Sequence, residues 1–250
     1  GSEMCIRDSY QEVLSAQGVT VLTGARAQSA AKDGDNIRID LSDGREVSAE
    51  RVLVAAGRVP NTDGIGLSEA GIRLNERGFI EVDDHLRTPV EGVWAAGDCA
   101  GTPMFTHASW NDYRIIREQM DGVSLDDPRT SKAGRVIPWA LFAHPELGRI
   151  GINETEAAQR GLEVLVASID TAAIPRAKTM RDTTGKWKAI VDAHTHKILG
   201  ATLVGPQSGE VITAVQVAME AGLTYEQLRM LPIAHPTMGE GLNILFDSLA

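Results

Sequence analysis

Two short apolar runs that end in glycine limit most strongly what this sequence can fold into. Arg51–Ala56 reads RVLVAA before Gly57, and Val93–Ala96 reads VWAA before Gly97. Unbroken apolar runs of this length predict strands that are buried on both faces, as in a parallel sheet. The stretch from about Ala108 to Met120 has the pattern of a helix that follows the second strand. The first part of the chain is therefore predicted to be α/β.

The residues before these runs predict smaller elements. Tyr10–Ala16 has the pattern of the end of a helix. Asn36–Leu41 alternates apolar and polar side chains, and the dipeptide Asp43-Gly44 then turns the chain into Glu46–Val47. An Asp-Gly dipeptide between alternating segments is typical of a β-hairpin.

A polar, turn-rich stretch at Asp126–Gly134 separates this part from a second part with a different pattern. Capping boxes at both ends of the second part predict helix starts, because a side chain at the N-cap and a Glu or Gln three residues later satisfy free amides reciprocally. The predicted elements, in chain order, are a short helix after Asn153 ending at Gly161, two antiparallel strands at Lys188–Asp192 and Ile198–Val204 around the turn His194–Lys197, a helix at Val211–Ala221, and a helix after Thr224. This pattern predicts an α+β domain.

Composition excludes several classes of function. The formal net charge is −10, which argues against a nucleic-acid partner, since such binding needs a basic surface. No apolar run is long enough to span a bilayer, so no membrane partner is expected. The only cysteines are Cys5 and Cys99, which cannot form a disulfide framework or a cysteine-rich metal site. Few cysteines fit a reducing compartment, and we expect a cytoplasmic protein. We interpret Gly1–Ser9, including Cys5, as a non-native scar.

The segment VWAAGDC is the first candidate site. A strand that ends in Gly97-Asp98 places a carboxylate at the carboxyl edge of a sheet, where ligands bind in open α/β folds. Asp98 could accept hydrogen bonds from a sugar hydroxyl, and the start of the following helix would attract an anionic group. The alternative is an ordinary strand-to-turn transition whose aspartate only caps a helix.

Two further segments carry weaker signals. AAGRVPN is again an apolar run that ends in glycine, Gly57, and its alternative interpretation is a simple turn. HPTMGE contains His235 and Glu240, and a carboxylate-paired histidine is a good proton acceptor near neutral pH. On its own, a single histidine is more often structural than functional. We also predict a cis peptide bond at His235–Pro236.

In this order and spacing, the three segments resemble the pyridine nucleotide-disulfide oxidoreductases, such as dihydrolipoamide dehydrogenase, glutathione reductase and mercuric reductase. AAGRVPNT resembles the stretch where the nucleotide-binding domain returns to the flavin-binding domain, VWAAGDCA the second FAD motif, and HPTMGE the active-site His–Glu pair. The resemblance implies FAD and NAD(P)H as cofactors, a homodimer, and a small-molecule disulfide or metal ion as substrate. It implies His235 and Glu240 as catalytic residues and no resident metal site. The implied cofactor-binding residues are Gly97, Asp98, Met104, Phe105, Thr106, His107, Gly57 and Ala27.

One branch of the family has the greatest resemblance. Ala173–Ala177 reads AIPRA and is followed by Arg181–Thr183, as in the mercuric-reductase-like branch. Mercuric reductases end in adjacent cysteines, whereas this chain ends FDSLA. The segments therefore resemble the flavoprotein metal reductases of reactive-chlorine resistance, which act on copper.

The resemblance also implies a domain plan. Residues 10–60 would be the end of an NAD(P)-binding domain, 61–130 the end of an FAD-binding domain, and 131–250 an interface, or dimerisation, domain. The fold class expected is thus an α/β remnant of two nucleotide-binding domains followed by an α+β domain. The first FAD fingerprint, the redox Cys-x4-Cys and the NAD(P) fingerprint are not in the sequence. We therefore expect an inactive fragment of such an enzyme, in which Cys99 only packs. The alternative is a dimerisation module without catalysis.

Overall fold

The computed structural model describes residues 10–249, which form two compact units, Tyr10–Val59 and residues 60–249. The interpretation of Gly1–Ser9 as a scar lies outside the described residues. Neither unit contains, among these residues, a helix long and apolar enough to cross a membrane.

The first unit is built on a small antiparallel sheet. Residues 10–16 are helical, as predicted. Strands β1 (Ala27–Asp33), β2 (Asn36–Leu41) and β3 (Glu46–Ala49) pair in the order β1-β2-β3. The predicted hairpin is confirmed as β2 and β3, with Ile39 opposite Val47. Sequence analysis missed β1, because its residues AQSAAKD are small or polar and all exposed.

The predicted strand at Arg51–Ala56 is wrong. These residues form no strand, and the side chains of Leu53 and Val54 are 90% and 81% exposed. A strand of a parallel sheet is held by hydrogen bonds to strands on both sides. Within residues 10–249, no strand pairs with this segment, so its apolar pattern has nothing to pack against.

The second predicted strand, Val93–Ala96, is also wrong. The run makes only one antiparallel bridge, between Trp94 and Arg87, which is flanked by hydrogen bonds from the Thr88 amide to the Val93 carbonyl and from the Ala95 amide to the Leu86 carbonyl. Ala95 is instead part of a small apolar cluster with Ile80 and Ala100. Ala95 is therefore buried by this cluster, and the run does not lie between two strands of a sheet.

Helix α1, Thr106–Met120, follows and confirms the helix expected from about Ala108 to Met120. Its buried residues are Ala108, Asp112 and Ile115. These positions are separated by four and three residues and therefore share one face of the helix. A carboxylate thus lies in the middle of the buried face.

The rest of the second unit is an antiparallel sheet with helices. The strands are β4 (Trp139–Leu141), β5 (Leu147–Gly151), β6 (Val164–Asp170), β7 (Lys186–Asp192) and β8 (Ile198–Val204), in the order β4-β5-β8-β7-β6. The helices are α2 (Glu154–Gln159), α3 (Pro175–Met180), α4 (Ser208–Glu220), α5 (Tyr225–Arg229) and α6 (Gly241–Asp247). The α+β prediction is confirmed, and both capping boxes form, at Asn153 and Thr224.

The main core lies between this sheet and helices α4 and α6. Trp187 and Leu203 on neighbouring strands, Val215 on α4 and Phe246 on α6 are all fully buried. Each such side chain contributes about 1.5–3 kcal/mol when it leaves water. The core fixes α6, whose start carries the His–Glu segment.

Candidate functional site

The segment 97–102 lies directly on helix α1. It begins with a 3-10 helix at Gly97–Ala100, and Gly97 has φ +70°. A Cβ atom at Gly97 would lie 2.6 Å from Ser109 Oγ and 3.1 Å from Ser109 Cβ. Both the left-handed backbone and the close approach therefore require glycine here.

A single buried carboxylate holds the two ends of this segment. Asp112 is fully buried, and its Oδ2 accepts hydrogen bonds from the Gly97 amide at 2.7 Å and the Thr102 hydroxyl at 2.6 Å. Arg135 Nη1 lies 2.6 Å from Asp112 Oδ1. The two groups form an ion pair, but their angles do not meet those of a hydrogen bond. Since Asp112 belongs to α1, it fixes the segment to that helix.

The start of α1 has amides that no side chain caps. The N-cap residue Phe105 makes no side-chain hydrogen bond to the helix, and no acidic residue lies in the first turn. Thr106 and His107 are exposed, and Asp98 is exposed on the segment before them. An uncapped start of a 15-residue helix attracts an anionic group through its free amides and its dipole.

Around this helix start there is a cavity of about 410 Å³. The rings of Phe105 and His107 stack with their centroids 5.4 Å apart. His107 Nε2 donates to the carbonyl of Pro138 at 2.7 Å, which ties the helix start to the segment that enters the sheet. Trp139 and Phe142 line the same cavity. The cavity is thus apolar and aromatic on one side and bordered by helix amides on the other.

The His–Glu pair forms just before α6. His235 Nδ1 lies 2.8 Å from Glu240 Oε2, and the His235–Pro236 peptide bond is cis, as predicted. Because a carboxylate accepts, Nδ1 carries the proton and Nε2 of the neutral ring keeps its lone pair. The side chain of His235 is 68% exposed while that of Glu240 is 10% exposed. The pair can therefore exchange a proton at Nε2 with a group outside its own domain.

The residues at 97–107 fit the part of a flavin site that the sequence implies. Gly97 permits close backbone approach, Asp98 offers an exposed carboxylate to a sugar hydroxyl, and the uncapped start of α1 can receive a partly negative ring edge. Met104 is partly buried and Phe105 is exposed beside this start.

Family models match both units. One model, described as pyridine nucleotide-disulphide oxidoreductase, matches residues 2–112, and a second, the dimerisation domain of the same family, matches residues 137–245. The chain belongs to the pyridine nucleotide-disulphide oxidoreductase family. Members of this family are FAD- and NAD(P)-dependent oxidoreductases. The second match assigns the antiparallel sheet and its helices to the dimerisation domain.

Individual members of the family are also similar to this chain in sequence and structure. The chain is 37% identical over 242 residues to the protein named probable pyridine nucleotide-disulfide oxidoreductase RclA of Escherichia coli, covering 97% of this chain and 54% of that protein. It is 32% identical over 244 residues to mercuric reductase of Bacillus cereus, covering 96% and 38%. It superimposes with a TM-score of 0.89 and 36% identity on a structure titled Cu(II) complex of HOCl-induced flavoprotein disulfide reductase RclA from Escherichia coli, covering 98% of this chain and 55% of that one. The chain thus spans about half the length of these two RclA sequences.

Two of the residues predicted to bind cofactor belong to the first unit, Tyr10–Val59. Ala27 is the exposed first residue of β1, and Gly57 is exposed with φ +108°. Of the remaining ones, Gly97 lies against Ser109 and Asp112 of α1, Asp98 is the next residue, and residues 104–107 lead into the start of α1. His235 and Glu240 lie before and at the start of α6.

Sequence analysis missed Asp112, Arg135 and Ser109, which hold the segment 97–102 in place. A signal for Asp112 was available. Asp112 lies four residues after Ala108 and three before Ile115, so it interrupts an apolar helix face. A carboxylate on such a face needs a buried partner. Arg135 had no comparable signal, because it directly follows the turn-rich stretch Asp126–Gly134 and belongs to no predicted element.

Proposed function

We propose that this chain is the C-terminal half of an FAD-dependent NAD(P)H:disulfide or metal-ion oxidoreductase that acts as a homodimer. The observation that carries the proposal is the His235–Glu240 pair, with one ring nitrogen held by a buried carboxylate and most of the ring exposed. This is the arrangement of a histidine that moves protons for a group outside its own domain.

Each residue of the pair has a separate role. His235 takes a proton from, and returns it to, a redox thiol of the partner subunit through Nε2. Glu240 holds Nδ1, which fixes the ring orientation and stabilises the positive charge of the protonated ring. A thiol near a positive ring forms the reactive thiolate more readily.

The residues around α1 bind and orient the flavin. Asp98 accepts a hydrogen bond from a sugar hydroxyl, and the uncapped amides of Thr106 and His107 face the negative edge of the ring system. Ala27 and Gly57 are the proposed contacts on the nucleotide side. Bound FAD would supply electron transfer between NAD(P)H and a disulfide.

The match to the family's dimerisation domain at residues 137–245 supports the proposed homodimer. Within the proposed domain plan, residues 10–60 end the NAD(P)-binding domain, 61–130 end the FAD-binding domain, and 131–250 form the interface. A longer protein would also supply strands beside residues 51–56, whose apolar side chains are exposed in this chain. We propose that the complete protein is cytoplasmic.

The substrate class is a small disulfide or a metal ion. Cu(II) is the metal ion to test first, since the similar structure from Escherichia coli is titled as its Cu(II) complex. Within residues 10–249, no group of three His, Cys, Asp or Glu side chains could hold a metal ion. We propose that any such ion is reduced at the thiols of the complete protein.

The 250-residue chain by itself is proposed to be inactive. Its sequence contains Cys5 and Cys99 but no Cys-x4-Cys pair, so it has no dithiol to receive electrons from a flavin. A second candidate function is a dimerisation module without catalysis, which the dimerisation-domain match alone would support.

Recovery of the preceding coding sequence and expression of the complete protein tests the proposal. We expect a yellow dimer with flavin absorbance that reduces a disulfide with NAD(P)H, whereas the 250-residue chain shows no turnover. A colourless dimer from the complete coding sequence would favour the dimerisation module. Turnover by the purified short chain that disappears in H235A would contradict its proposed inactivity.

A further inference from the structure

The side chain of Asp112 contacts both ends of the segment 97–102. It is fully buried, and its hydrogen bonds to Gly97 and Thr102 are short, at 2.7 and 2.6 Å. A charged acceptor makes hydrogen bonds about twice as strong as a neutral one does. The two donors are five positions apart in the sequence, so the carboxylate closes the segment into a loop against α1.

The charge of Asp112 is balanced from outside the segment. Arg135, whose side chain is 17% exposed, lies 2.6 Å from Oδ1 and donates a hydrogen bond from Nη1 to Asn111 Oδ1 at 2.7 Å. A buried charge without such a partner would strongly favour an open loop. Arg135 precedes the first strand of the antiparallel sheet, so the pair also joins the segment to the dimerisation domain.

We propose that Asp112 is the positioning residue of the flavin segment. By holding residues 97 and 102 on α1, it fixes the exposed Asp98 between them relative to the uncapped start of the same helix at Phe105. The inference rests on the proposed flavin function. Asp112 itself does not touch the cofactor. It keeps the two proposed flavin contacts, Asp98 and the start of α1, at a constant separation.

The chemistry explains why a carboxylate is needed. Oδ2 accepts from two donors at once while Oδ1 faces a guanidinium. An amide at this position can present its oxygen to the donors, but its NH₂ group then faces Arg135, and two donors meet. D112N therefore removes the charge balance with almost no change in volume. Replacing Arg135 by glutamine in the same chain supplies an acceptor for the introduced amide.

Hydrogen exchange on the 250-residue chain tests the anchoring without any cofactor. In D112N we expect the amides of residues 97–102 to exchange about tenfold faster or more, because a lost hydrogen bond to a charged group lowers the cost of local opening. The amides of β7 and β8 should keep their protection. The double variant D112N/R135Q should regain most of the protection at 97–102.

D121N is the matched control, since Asp121 lies at the exposed end of the same helix and forms a surface ion pair with Arg117. It removes the same charge and should leave residues 97–102 unchanged. If D112N does not fold, T102V provides a milder test, because it removes one donor and keeps the shape of the side chain. T102V should then speed exchange at residues 101–102 more than at β7.

FAD affinity, measured on the complete protein proposed above, tests the link to the cofactor. We expect D112N to bind FAD about tenfold more weakly or worse, D121N to bind normally, and D112N/R135Q to recover. Unchanged exchange at 97–102 in the variants, or unchanged FAD affinity in D112N, overturns the inference. A complete wild-type protein that binds no FAD overturns the proposed function instead, and the exchange data then confine Asp112 to a role in folding.

Discussion

Glu240 Oε2 accepts a hydrogen bond from His235 Nδ1 at 2.8 Å, with Glu240 almost buried and His235 largely exposed. Because of this difference in exposure, the imidazole is accessible from solvent while the carboxylate is not. The carboxylate is fixed by its domain, at the start of α6, and the imidazole extends outward from it. Only Nε2 is available to a group that approaches from outside.

In the complete protein, we expect H235A to slow thiol–disulfide steps by about 10²–10⁴-fold, which is the usual contribution of a positioned acid–base group. Flavin reduction by NAD(P)H should change little, because it does not use this histidine. Stopped-flow measurement of the two half-reactions with a disulfide substrate separates these effects. H194A is the control, since His194 is an exposed histidine at a hairpin tip, paired with Glu163. Equal rates for H235A and the wild type in both half-reactions would rule out the proton-transfer role.

The close contact between Gly97 and α1 predicts a large cost for added volume. G97A should lose about 1–2 kcal/mol for the left-handed backbone and about 1–3 kcal/mol more for the clash with Ser109. Gly122 has φ +84° and no atom near its added Cβ, so G122A should show only the backbone cost. Urea unfolding of both variants measures the difference. Equal losses would mean that the segment can move away from Ser109 freely.

The hairpin turn between β7 and β8 should loosen in acid. Asp192 accepts the Thr195 amide at 2.6 Å, the Thr195 hydroxyl and the His194 amide, and these hydrogen bonds hold the pKa of its carboxyl below the ordinary 3.8. A lowered pKa stabilises the fold above the ordinary value, and this stabilisation is lost as the pH falls through the lowered pKa.

Amide exchange at residues 194–197, followed between about pH 6 and about pH 2 and corrected for intrinsic rates, checks this expectation. Protection should persist through pH 3.8 and fall only below it. In D192N the turn should be loose throughout, without the acid transition. A wild-type transition above the ordinary pKa would show that another group controls the turn.

The dimerisation domain predicts self-association of the 250-residue chain. Sedimentation at about tens of micromolar, where specific dimers of moderate affinity remain associated, should show a dimer, the association state expected of a two-fold symmetric interface. A strictly monomeric chain at that concentration would indicate that the interface needs residues beyond those present here.

Local signals predicted local structure well. The capping boxes at Asn153 and Thr224, the strands on either side of the turn His194–Lys197 and the extent of α1 follow from contacts between residues a few positions apart. The same signals failed for Arg51–Ala56, which pairs with no other strand, and for Val93–Ala96, which forms a single bridge, because a strand extends only as far as another segment supplies its hydrogen bonds.

The sequence by itself determined the family, through three short motifs in order, and the α+β class of the second part, through its apolar periodicity. The tertiary structure alone decided that Asp112 and Arg135 meet across 23 residues and that one carboxylate closes the segment 97–102 onto α1. Periodicity reports which side of an element is buried. It carries no information on which buried polar groups face each other, since that depends on how separate elements pack.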